Sequence, residues 1–318
     1  MIVALAGGVG GARLAHGLYR ALPPDTLTVV VNTGDDFERY GLRICPDADT
    51  VLYTLAELAN SATGWGIAGD TTAALDMLKR YGDDAWFWLG DRDLATHLLR
   101  TEHLRAGQPL TKVMQSLAAA LGVRAALLPM SDEPVATLVN TPDGELAFQE
   151  YFVRRQHQDT VLGARFDGIE QAHIPNAARA AIQEAEAIIF CPSNPIVSIG
   201  PILAVPGMRD LLRQAAAPKV AASPLIGGKA LKGPADRMLT DLGYESSAVG
   251  VATLYRDLLQ GMVIDEADAH DAPRIEALSM RVLVTQTVMR DTTDRERLAR
   301  ETLAFAATLR TADRGEQA

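Results

Sequence analysis

Gly7-Gly8-Val9-Gly10-Gly11-Ala12-Arg13 follows a short apolar run, Ile2 to Ala6, at the amino end of the chain. Glycine lets a backbone turn sharply and bring its N–H groups against a bound anion. A helix starting there aims its N-terminal dipole at the same point. Neither common glycine pattern fits. The dinucleotide fingerprint needs a glycine where Arg13 stands, and no Gly-Lys-Ser/Thr follows for a phosphate loop. Gly8, Val9, Gly10 and Gly11 are therefore candidate phosphate-binding backbone of another kind. Arg13 either adds charge to that site or faces solvent.

Two acidic segments come next, Asn32-Thr33-Gly34-Asp35-Asp36 and Pro46-Asp47-Ala48-Asp49-Thr50. Carboxylates grouped this closely beside a glycine loop suit a Mg²⁺ ion, because hard cations take oxygen ligands. Asp47 or Asp49, ahead of Val51-Leu52, is also a good helix N-cap. In Leu89-Gly90-Asp91-Arg92-Asp93-Leu94-Ala95-Thr96-His97, Arg92 reads either as a salt-bridged turn or as a phosphate or nucleotide contact. His97 reads as a structural histidine or an acid–base group. Pro129 to Asp132, Pro192-Ser193-Asn194-Pro195 with Ser198, and Ser223 to Gly228 supply further hydroxyl, amide and N–H donors.

Most of these segments follow apolar runs. Leu27 to Val31, Ala125 to Leu128, Ala187 to Cys191, Lys219 to Ala222 and residues 281–285 read as buried strands. Helical spacing marks Ala12 to Leu22, Asp49 to Asn60, Thr71 to Arg80, Val113 to Leu121, Asn176 to Glu186 and the last thirty or so residues. Residues 135–153 read as a hairpin turning at Pro142-Asp143-Gly144. Strand, loop and helix in alternation predict one doubly wound, mostly parallel Rossmann-like α/β domain over residues 1–318, with a helical and β-hairpin insertion at about 50–175. In such sheets ligands bind outside the carboxyl ends of the strands, where these polar loops would converge.

The 318 residues carry a formal net charge of −10, which argues against nucleic acid as a partner. Cys45 and Cys191 are too few and too far apart for a disulfide framework. No apolar stretch reaches the ~18 residues of a membrane span, and Met1 to Ala6 lacks the basic flank of a signal peptide. A cytoplasmic protein is expected, and the apolar helices suggest a homodimer.

Taken in order, the chain resembles the CofD (FbiA) family, the 2-phospho-L-lactate transferases of coenzyme F420 biosynthesis. The resemblance rests on Gly7 to Gly11, Val30-Val31-Asn32-Thr33, Pro46 to Tyr53, Trp65-Gly66-Ile67, Leu89 to His97, Leu128 to Asp132, Pro192 to Pro201 and Pro206-Gly207-Met208-Arg209. It implies transfer of a phospho-hydroxyacid group from its guanosine diphosphate ester to the ribityl hydroxyl of the deazaflavin Fo, with GMP leaving. It further implies Fo contacts at Asp49, Trp88, Asp91 and Arg92, and a donor site at the glycine loop with Ser193, Asn194 and Ser198. Asp36 and Asp49 become the expected catalytic and Mg²⁺-binding acids, ahead of Asp35 and Asp47. The transferred acid is not legible: phospholactate, phosphoenolpyruvate and phosphoglycerate differ by a few atoms. The rival is the YvcK-like branch, with a similar glycine-rich start and a nucleotide-sugar-binding regulatory role. A nicotinamide oxidoreductase is a weaker rival, because of the broken fingerprint.

Overall fold

The computed structural model describes residues 1–315. Seven strands form its central sheet: β1 (Ile2–Ala6), β2 (Leu27–Val31), β3 (Ala126–Pro129), β4 (Ala187–Phe190), β5 (Lys219–Ala222), β6 (Gly261–Asp265) and β7 (Arg281–Thr285). Their order is β7-β6-β5-β4-β1-β2-β3, and every neighbouring pair is parallel. Parallel strands covered on both faces are apolar throughout, and β1, β2, β4, β5 and β6 are buried along their whole length. Successive side chains point to opposite faces. Val3 and Leu5 thus join one apolar cluster, and Ile2, Ala4 and Ala6 the other.

The strand order reverses between β1 and β4, so the ligand crevice of a doubly wound sheet falls there. Four helices frame it: α1 (Gly8–Ala21), α2 (Pro46–Leu55), α3 (Asp91–Arg105) and α4 (Thr292–Gly315). α1 packs against both α2 and α4. Pro46 at the first position of α2 suits a helix start, since its missing N–H would be unpaired there anyway.

The insertion differs from the expected span. α2 begins before residue 50, and Val51, Leu52, Tyr53 and Leu55 are part of the main core. β3 then returns to the sheet edge in the middle of the expected 50–175 segment. Two excursions flank it. The first holds the hairpin Phe37–Arg39/Leu42–Ile44, α2, the helix Ala73–Arg80, α3 and the helix Leu110–Ala120. The second holds the hairpin Ala136–Thr141/Gly144–Ala147, joined by a third antiparallel strand, Gly163–Asp167. β6 was not expected, because its sequence offers only a three-residue apolar run, Met262-Val263-Ile264, between Gly261 and Asp265. Cys45 and Cys191 are buried free thiols. Among the described residues, no helix is long and apolar enough to cross a membrane.

Candidate active site

A cavity of about 540 Å³ opens at the switch point. One wall is the start of α1. A Cβ on Gly10 would lie 2.3 Å from the Pro192 carbonyl oxygen, and one on Gly11 2.3 Å from Ser193 Oγ. These glycines are needed because the loop after β4 packs directly against the helix start. Ser193 braces that contact: its hydroxyl donates to the Gly7 carbonyl at 2.8 Å and accepts from the Gly7 N–H at 3.1 Å. Asn194 Oδ1 accepts from the N–H groups of Ile196 and Val197, at 2.9 and 3.3 Å, and so shapes its own loop. Gly8, Val9, Gly10, Arg13, Ser193, Asn194 and Ser198 line the cavity, whereas Gly11 lies behind it. Arg13 donates to the Met289 carbonyl at 3.2 Å.

The acidic loops form the floor. The buried Asn32 amide donates to Asp47 Oδ2 at 2.9 Å, to Asp35 Oδ1, and to the Val197 carbonyl at 3.2 Å. Asp47 Oδ1 also accepts the Gly8 N–H at 2.7 Å, so a carboxylate rests on the first turn of α1. Burial pushes the Asp47 carboxyl up to about 6, against hydrogen bonds from Asn32, Gly8 and Ser198. Burial, followed by the charges of Asp47 and Asp36, raises Asp35 well above the usual carboxylate range. Both line the cavity. Asp36 does not: it turns toward Arg43, 3.4 Å away, and burial raises it to about 7.

Asp49 sits deeper. Both its oxygens accept from the Arg100 guanidinium, one at 3.0 Å. Arg100 is 1% exposed and lies 3.2 Å from His97 Nδ1. An arginine cannot accept a hydrogen bond, so Nδ1 is the acceptor and the ring proton sits on Nε2, 3.3 Å from Asp93 Oδ2. Tyr53 donates to Asp93 Oδ1 at 2.6 Å. Asp93, His97 and Arg100 share one face of α3 at positions i, i+4 and i+7, and that spacing was the available signal for Arg100. Ligand atoms of Asp49, Asp93 and His97 lie within 4.8 Å of one another. A metal ion there would stand beside the Arg100 guanidinium, which disfavours it.

The remaining wall is aromatic. Trp65 and Trp88 meet edge to face, with centroids 5.3 Å apart at 71°, and Phe148 stacks on Phe152 at 5.5 Å. All four line the cavity, but Asp91 and Arg92 do not. Asp91 instead caps the helix Ala73–Arg80, accepting the N–H groups of Ala73 and Ala74 at 2.9 Å each. Arg92 donates to the Ala68 carbonyl at 3.4 Å. Both thus tie the start of α3 to the segment 68–74. Residue spacing did not flag Lys232, Thr287 or Met289, which also line the cavity from segments without a recognisable motif.

A doubly wound sheet with this cleft at its switch point defines a small-molecule-binding α/β protein of the Rossmann-like type. The family model for 2-phospho-L-lactate transferase CofD matches residues 2–304. The chain belongs to that family, the transferases of coenzyme F420 biosynthesis. It is 44% identical over 316 residues to the phosphoenolpyruvate transferase of Streptomyces avermitilis, covering 98% of this chain and 99% of that one. It is 38% identical over 298 residues to the 2-phospho-L-lactate transferase of Methanosarcina mazei, covering 94% and 98%. A UPF0052-family protein from Bacillus halodurans shares the fold with a TM-score of 0.65 at 15% identity, covering 95% of this chain and 98% of that one.

Proposed function

We propose that the chain transfers a phosphoenolpyruvyl group from its guanosine diphosphate ester to the terminal ribityl hydroxyl of Fo. The hydroxyl oxygen bonds to the phosphorus that bears the acid while its proton passes to Asp49, the bond to the bridging oxygen breaks, and GMP leaves with that electron pair. No covalent enzyme intermediate is required. One observation carries the reading: a single cavity joins a glycine–serine wall, an acidic floor and an aromatic wall. The choice of acid rests on the relatives. The Streptomyces phosphoenolpyruvate transferases stand at 42–44% identity, and the 2-phospho-L-lactate transferase of Methanosarcina mazei at 38%.

On this reading the glycine loop and Ser198 hold the donor, Trp65 and Trp88 pack on the flat deazaflavin, and Asp49 accepts from its ribityl hydroxyl. Arg100 keeps Asp49 fixed, so the acceptor oxygen is positioned before reaction. Mg²⁺ is best matched by Asp35 and Asp47, two buried carboxylates that share one Asn32 amide and, among the described residues, form no ion pair with a cation. Bound there, it would neutralise phosphate charge and polarise the phosphoryl oxygens. The reading also takes the chain as a cytoplasmic homodimer, which the exposed Leu98 and Leu99 on α3 favour. The relatives named as transferases favour this reading over the regulatory alternative. Turnover of Asp49→Asn with purified substrates and Mg²⁺ tests the site: activity equal to wild type overturns the role of Asp49.

A further inference from the structure

Arg13 and Lys232 are the two lysine or arginine side chains that line the cavity. They reach it from distant parts of the sequence, α1 and the segment after β5 (Lys219–Ala222). Among the described residues neither forms an ion pair with a carboxylate, although most other arginines of this acidic chain do. What each does bind is a carbonyl: Arg13 the Met289 oxygen at 3.2 Å, Lys232 the Thr63 oxygen. Burial first, and the Arg13 charge second, depress both the Lys232 ammonium and the Arg295 guanidinium on α4. Two cations that line one cavity and pair with no carboxylate among the described residues leave room for a bound anion. The start of α1 contributes to the same place.

From this we infer that Arg13 and Lys232 form a diphosphate-binding subsite, in which Lys232 is a donor ligand that no motif marks. The inference rests on the proposed guanosine diphosphate donor. It divides the cavity by charge: Asp35, Asp47, Asp49 and Asp93 on the floor, the two cations at the rim. An ammonium has three donors, so Lys232 can keep Thr63 while binding an anion. A Cβ on Gly64 would lie 2.7 Å from Val9 and 3.1 Å from Lys232 Nζ. The loop carrying Trp65 therefore lies directly over the glycine loop.

Calorimetric titration with GDP, on the full chain, tests the subsite. Arg13→Met and Lys232→Met are each expected to weaken GDP binding at least about tenfold, the loss of one charge-assisted contact. Lys232→Arg should retain most of it, and Fo affinity should stay within about twofold in all three. Unchanged GDP affinity in both methionine variants overturns the inference. So does an equal loss of Fo and GDP binding, which would indicate a general collapse of the cavity. Failure of the proposed reaction is read separately: a wild-type chain that binds GDP through Arg13 and Lys232 but transfers nothing from the donor ester would sink the reaction and leave the subsite standing.

Discussion

Asp49 and Arg100 are joined through both carboxylate oxygens, across a separation of 51 residues, with both side chains buried. Breaking a buried ion pair leaves one charge uncompensated, at a cost of ~3–5 kcal/mol, while removing both partners can cost far less. Arg100→Met alone is therefore expected to lower stability strongly. Asp49→Asn combined with Arg100→Met should be less destabilised than the two single changes summed. Urea unfolding of the three variants measures the coupling, and strict additivity would contradict the pairing.

Burial raises Asp36 from 3.8 to about 7 in the folded chain. The native state then binds more protons than the unfolded one, so this group's contribution is fully present below pH ~4 and is lost as pH rises through about 7. In the presence of a chelator, Asp36→Asn should match wild type near pH 4 and become progressively more stable than wild type up to pH 8. A stability difference that does not change with pH would remove burial as the cause.

Asp35 and Asp47 carry the metal assignment. Ligands that bind only the native state stabilise it by mass action, so millimolar Mg²⁺ should raise the melting temperature of the wild-type chain. It should not do so for Asp47→Asn. An equal rise in both would move the ion elsewhere.

The aromatic wall gives a direct optical readout. Two of the three tryptophans, Trp65 and Trp88, line the cavity, so Fo binding should quench intrinsic fluorescence. Trp88→Ala should raise the Fo dissociation constant about tenfold, the worth of one aromatic stacking contact. The KM for the donor should not move.

The repeating pattern of an apolar strand followed by a polar loop made the sheet legible, and the βαβ unit from Ile2 to Val31 stands where its residues place it. What sequence could not resolve was which partner each member of an acidic pair meets. Asp35 and Asp36 are adjacent, yet one faces the cavity and the other Arg43. Asp47 and Asp49 differ for a similar reason, since two residues on a helix turn the side chain well away from the first. Asp47 reaches the Gly8 N–H, and Asp49 meets Arg100. Asp91 and Arg92 read as ligand contacts because of their chemistry, but cap and brace local backbone instead. Lys232 depends on a contact 169 residues away, and nothing in its own neighbourhood records that.

The central claim is the identity of the group transferred. Mass spectrometry of the product formed from Fo and an equimolar mixture of the phosphoenolpyruvyl, phospholactyl and phosphoglyceryl guanosine diphosphate esters tests it most directly. The account predicts that the enolpyruvyl product accumulates first and dominates. Preferential formation of the lactyl or glyceryl product, with the enolpyruvyl donor left unused, would contradict it.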